Sequence, residues 1–275
     1  MNLNLYLSTE IIAQTPISHD HSAGFHDIRP FNKINNNLIL LHRYPLNTLG
    51  FKINSEREHK VDICLWDINK TSIEKIDETD LWSWEQGSRL QWLNSTTLIY
   101  NKSKNQKDSS IIYDFLNKKK TDLETSIYSI NKGGLILSIN YARLWKYWKS
   151  YGYKNLSNLD LNIHRKKPEN DGIFLSDLNG SKQLFLSIEK AVEICGLKNL
   201  DKEFFLCHPT FNPAGNKFIS LLRYFNDSGA LISYLISTDI EKNTNTIIAR
   251  EKVSHFEWIS ENEIIVWCRN LNNKI

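Results

Sequence analysis

The chain has 275 residues, 41% of them hydrophobic and 24% charged, an ordinary soluble composition with enough apolar side chain for a packed core. Its 34 basic and 31 acidic side chains leave a net charge of +3, so bulk electrostatics imply no nucleic-acid partner. No run of residues approaches the roughly 18 apolar positions that span a membrane, and Met1–Tyr6 has neither the basic nor the apolar region of a secretory signal.

Strand-type segments dominate, rich in β-branched and aromatic residues and bounded by turn residues. Leu38–His42 follows the Asn35-Asn36-Asn37 turn, and Ile63–Ile68 precedes Asn69-Lys70. Leu98–Tyr100, Ile111–Phe115, Leu135–Ile139 and Gly172–Leu178 repeat the pattern down the chain. The segment 187–200 carries apolar residues at Ile188, Ala191, Val192, Ile194 and Cys195, the spacing of a short amphipathic helix. Cys64, Cys195, Cys207 and Cys268 form no CxxC pair and are expected as buried or half-buried free thiols in a reducing cytoplasm.

One motif returns along the chain. In its fullest copy, His208-Pro209-Thr210-Phe211-Asn212-Pro213-Ala214-Gly215-Asn216-Lys217-Phe218, an aromatic opens a strand, a turn follows, and a second strand alternates apolar and polar residues. Weaker copies begin near residues 31, 92, 128 and 258. A second strand type, ending in apolar-Asp-apolar steps such as Trp66-Asp67-Ile68 and Tyr113-Asp114-Phe115, alternates with the first. A two-sheet sandwich explains many short strands but not this alternation, so the expected fold is all-β: a single-domain β-propeller of four-stranded blades over 1–275. Insertions are expected near 142–170 and 187–200. The copies amount to about four and a half blades. The ring is therefore expected to be incomplete, with C-terminal blades missing or supplied otherwise.

The Phe-Asn-Pro-Ala-Gly step at 211–215 is similar to the corresponding step of TolB-like propellers. The pieces Gly24–Asn32, Trp84–Leu93, His208–Gly215 and Ser254–Trp258 together resemble the oligogalacturonate lyase-like branch of that group. The resemblance implies a seven-bladed ring, a divalent metal held by histidines and a glutamine, and cleavage of uronate-containing oligosaccharides by β-elimination.

Aligned on the aromatic, the repeats put Arg89, His208 and His255 three residues ahead of Trp92, Phe211 and Trp258. Equivalent repeat positions converge near one channel mouth. Two readings stand. In the first, His208, His255 and His26 hold Mn, Fe, Ni or Zn, Gln86 or Gln91 completes the sphere, and Arg89 grips a substrate carboxylate or acts as base. In the second, the histidines hydrogen-bond neighbouring backbone. His19-Asp20-His21 reads as a loop of solvated histidines, and His42, His59 and His164 as surface residues. The run Arg143–Lys154 interleaves aromatic and basic side chains and reads as a loop over the mouth. There Arg143 and Trp145, with Trp84 and Gln86, are candidates for an acidic-glycan surface, and the aromatic run equally for local packing. No GxSxG, P-loop, GxGxxG or HExxH motif is present. The resulting expectations are a metal-assisted lyase on uronate glycans, or a non-catalytic propeller that binds an acidic oligosaccharide or a protein partner, or an inactive, truncated relative of the family it resembles.

Overall fold

A computed structural model describes residues 10–46, 60–70, 72–156 and 163–269. Met1–Thr9 and His59 lie outside the described residues, as does part of the 142–170 insertion. Sixteen of the strands form four antiparallel sheets of four. The first contains β1 (His19–Ser22), β2 (Leu38–Pro45), β3 (Val61–Asp67) and β4 (Ile73–Thr79). The second contains β5 (Gln91–Trp92), β6 (Thr97–Asn101), β7 (Ser110–Asp114) and β8 (Lys119–Leu123). The third contains β9 (Ser129–Ile130), β10 (Ile136–Ile139), β11 (Gly172–Ser176) and β12 (Lys182–Ser187), and the fourth β13 (Phe205–Phe211), β14 (Lys217–Phe225), β15 (Leu231–Asp239) and β16 (Thr244–Ala249). A two-stranded sheet of β17 (Val253–Trp258) and β18 (Ile264–Cys268) follows. In every sheet the strands pair in chain order, each with the next, which is the meander of a propeller blade. The expected all-β propeller of about four and a half blades is borne out.

Alternation along each strand gives every blade two apolar faces. Leu40, Ile63 and Leu65 of blade 1 meet Leu90, Leu98 and Tyr100 of blade 2. Their neighbours Ile39, Leu41, Cys64 and Trp66 point the other way, where Ala13 packs on them. Blades 3 and 4 share the largest cluster, which includes Leu137, Ile173, Phe205, Phe218 and Leu235. Each such fully buried side chain contributes roughly 1.5–3 kcal/mol.

The repeated motif also stitches blades together. Asn32 and Asn212, just after the repeat aromatic, and Asn131, three residues after Tyr128, accept backbone N–H bonds within their own turns. Each side-chain amide then donates to the next blade's turn. Asn32 reaches Ser95 O at 2.8 Å, Asn131 reaches Gly215 O at 3.0 Å, and Asn212 reaches Glu261 O at 3.0 Å. The tryptophans stitch backwards: Trp92 Nε1 donates to Pro30 O and Trp258 Nε1 to Thr210 O. Trp92, Phe211 and Trp258 therefore close their inner strands rather than opening them, whereas Tyr128 stands just before its strand.

Two other expectations change. The run after Asn140 is a helix, α1 (Tyr141–Tyr147), capped when the Asn140 side chain accepts from Arg143 N. His19–Ser22 is paired strand, opposite Arg43 and Tyr44, not loop. The helix expected after Ser187 is present as α2 (Ile188–Ile194). Cys64, Cys195 and Cys207 are buried free thiols and Cys268 a half-buried one, as expected.

Candidate functional site

The inner strands are interrupted at one level. In β13 the register jumps between Cys207 and Thr210, and His208 there adopts φ +54°. In β17 it jumps between Val253 and Phe256, releasing Ser254 and His255. Just before β5, Arg89 sits at φ +56°. Blade 1 has the longest interruption: between β1 and the Phe31–Ile39 bridge, a loop carries Phe25, His26 and Asp27. Bulges re-aim side chains, and left-handed backbone at a non-glycine residue is strain that surrounding contacts must hold. The repeat position chosen from sequence is thus a structural one.

Those contacts start at Arg89. Its guanidinium grips both oxygens of Asp27, at 3.0 and 2.7 Å, and its Nε donates to Tyr128 O at 2.9 Å. The cation also lies 3.9 Å from the centre of the Tyr128 ring. Burial works against the charge, but Asp27 more than reverses it and raises the Arg89 pKa. Arg89 therefore ties the Phe25–Asp27 loop to blade 3. A base or a bidentate grip on substrate does not fit a side chain so committed, which corrects the role expected for it.

Tyr128 carries the connection onward. Gln86 Nε2 donates to its hydroxyl at 2.6 Å, and that hydroxyl is hydrogen-bonded to His208 Nδ1 at 2.6 Å. Gln86 Oε1 is buried with no hydrogen-bond partner. Around the His208 imidazole stand Phe25, stacked at 6.1 Å, Tyr151, edge-on at 5.3 Å, and Trp148, edge-on at 6.2 Å. Burial, then the positive charges of Arg223 and Arg89, push the His208 pKa well below its ordinary value. The ring is neutral at physiological pH.

These groups line a cavity of about 190 Å³ with His26, Arg223, His255 and Phe256. His26 and His255 have ring centres 6.3 Å apart, and His255 Nδ1 is bonded to Ser254 Oγ at 2.8 Å. The structure thus brings His26, His208 and His255 to one cavity, with Gln86 behind it. It does not gather them into a ligand set: among the described residues, no three His, Cys, Asp or Glu side chains converge as metal ligands do. His208 Nδ1 is already engaged by Tyr128.

The other candidates lie elsewhere. Arg143 is buried against Asp171, at 2.5 Å from Nε, and donates to Phe204 O and Arg165 O. Trp145 shares its helix, with Lys149 over its ring, and Trp84 is half-buried outside the cavity lining. These two positions and Arg143 support the packing alternative, because α1 packs against β13 of blade 4 and, of this run, only Trp148 and Tyr151, just beyond the helix, line the cavity. His42, expected at the surface, is buried, with Nε2 bonded to Ser88 Oγ at 2.8 Å. His164 is exposed. Sequence reasoning passed over Arg223 and Phe25.

The sheet order and the stitched repeats define a β-propeller of four-stranded blades. Among solved structures the chain is similar to an oligogalacturonate lyase in complex with manganese, at 12% identity, TM-score 0.49, over 94% of this chain and 74% of that one. It is also similar to TolB from Acinetobacter baumannii (12%, TM-score 0.39, 80% and 42%) and to the tricorn protease (12%, TM-score 0.45, 88% and 18%). The chain thus spans well under two thirds of TolB and of the tricorn protease. Identities this low speak to the fold alone. No protein family and no curated protein matches the chain in sequence. No helix among the described residues is long and apolar enough to cross a membrane.

Proposed function

We propose that this propeller binds an acidic oligosaccharide of the uronate type in the cavity at its mouth, without cleaving it. The observation that carries the reading is the cavity wall: the rings of Phe25, Trp148 and Tyr151 stand around a neutral imidazole, and Phe256 lines the same cavity. Flat rings stack on the C–H faces of sugars, while a few polar groups fix orientation. The uronate class comes from the resemblance of the repeat to the oligogalacturonate lyase-like branch. Binding is favoured over elimination because Arg89 is committed to Asp27 and the histidines do not converge. Four free thiols accord with a cytoplasmic setting.

Calorimetric titration with oligogalacturonates tests it. Saturable binding that Trp148→Ala and Tyr151→Ala weaken supports the reading; absence of binding overturns it.

Metal-assisted β-elimination is the second reading. It rests on the three imidazoles that share the cavity. Stoichiometric Mn, Fe, Ni or Zn lost on His208→Ala, together with unsaturated-uronate absorbance from acidic oligosaccharides, would favour it.

A further inference from the structure

We propose that Arg223 is a carboxylate-binding subsite of the cavity, held without a protein counter-ion so that a ligand supplies one. The sugar in this proposal rests on the binding reading above; the charge rests on Arg223 alone.

Among the described residues three arginines are buried, Arg89, Arg143 and Arg223, with exposures of 1%, 1% and 4%. The first two are neutralised in place, Arg89 by Asp27 and Arg143 by Asp171. Arg223 makes no such pair. Its Nε donates to Ser233 Oγ at 3.0 Å, it touches the Cys207 thiol, and its Cζ lies 4.7 Å from the Trp148 ring. Its Nη1 is buried with no hydrogen-bond partner.

An unpaired guanidinium out of water is costly, and buried charges are ordinarily paired. Two of the three buried arginines follow that rule. The third breaks it where it lines the cavity, beside His208, Trp148 and Tyr151. Strand geometry explains how it is held there. Arg223 lies on β14 opposite Phe205 of β13, and its neighbours Leu221 and Leu222 are buried in the core shared by blades 3 and 4.

A single unpaired cation suits a single negative charge. Glu257 lines the same cavity and works against a doubly charged group such as a phosphate ester. A planar carboxylate can take the guanidinium edge while its sugar ring lies against the aromatic wall.

The test uses the full chain with trigalacturonate and its fully methyl-esterified form, which keeps the rings and removes the charge. The acid is expected to bind wild type about tenfold or more tighter than the ester, the scale of one charge-assisted hydrogen bond. Arg223→Met should bring the acid down to the level of the ester and leave the ester unchanged. Free Arg223→Met should melt at or above the wild-type temperature, because an unneutralised charge has gone. Equal binding of acid and ester to wild type overturns the proposal. So does a variant that loses both alike, or one that melts well below wild type, since a structural arginine would behave that way. If wild type binds neither sugar, the binding reading falls, and Arg223 is judged by acetate against chloride at equal ionic strength. A rise in wild-type melting temperature with acetate that is absent in Arg223→Met sustains the subsite; no difference overturns it.

Discussion

Arg89 and Asp27 are joined by two hydrogen bonds, at 2.7 and 3.0 Å, across 62 positions of sequence. The pair is buried, and it anchors the loop that puts Phe25 and His26 on the cavity wall. Breaking one partner of a buried pair leaves an uncompensated charge, at a cost of about 3–5 kcal/mol. Asp27→Asn should lower stability by that order in urea denaturation. The double variant Asp27→Asn/Arg89→Met should be less damaged than the sum of the two single changes, because neither charge is then stranded. Additive losses would mean that the two side chains act independently.

The stability of the protein should fall as pH drops from about 6.5 toward 4, ahead of general carboxylate titration. Burial lowers the His42 pKa to about 4 from the 6.5 of a free histidine. His208 moves in the same direction. Between those values the unfolded chain takes up protons that the folded one refuses, so the folded state loses ground with every step down. The His42 contribution is fully present above pH 6.5 and is worth roughly 3 kcal/mol there. His42→Gln should flatten the slope of stability against pH between 6.5 and 4. An unchanged slope would show that His42 is not the titrating group.

How far the sequence carried the reading depends on which force placed each residue. The propeller was legible because every blade reuses the same turn chemistry: Asn32, Asn131 and Asn212 cap their turns locally, and local chemistry leaves a local pattern. That His208 and His255 line one cavity was legible for the same reason, since repeats place equivalent positions at one level, while His26 lies two residues off that position. The fates of Arg89 and Arg143 were not. Each is decided by one aspartate, Asp27 or Asp171, brought near only by folding. Arg223 gave one faint signal. It ends the run Ile219-Ser220-Leu221-Leu222-Arg223 inside a strand buried on both faces, where a charge has no ordinary place. His42 was misjudged because nothing in sequence shows that Ser88, 46 residues away, supplies its partner.

The inter-blade stitches should be worth more than the turns they cap. Asn212 accepts from Asn216 N and Lys217 N and donates to Glu261 O in the next sheet. Asn94 has the capping role in blade 2, accepting from Thr96 N at 2.9 Å, in an exposed setting. Asn212→Ala should cost about 2–3 kcal/mol, with several partners stranded at a buried site, and Asn94→Ala below about 1 kcal/mol. Equal losses in chemical denaturation would assign the stabilisation to turn capping and not to the bond between blades.

Tyr128→Phe isolates the hydroxyl that sets the His208 imidazole. The ring is buried, so the phenyl keeps its packing and its contact with the Arg89 cation, 3.9 Å from the ring centre. What disappears is one oxygen at 2.6 Å from both Gln86 Nε2 and His208 Nδ1. Both partners are shielded from water, so the loss should lie near 1–3 kcal/mol of stability. The second effect is local. The partner on Nδ1 selects which ring nitrogen of the neutral imidazole keeps the proton, and so whether Nε2 donates or accepts in the cavity. Without the hydroxyl, only the 3.2 Å approach of Gln86 Nε2 remains to orient Nδ1. The imidazole nitrogen resonances of His208 should then shift toward a mixture of tautomers, and oligogalacturonate affinity should drop several-fold while the aromatic wall stays intact. A variant with wild-type nitrogen shifts and wild-type affinity would show that the left-handed backbone at His208, and not Tyr128, fixes the ring.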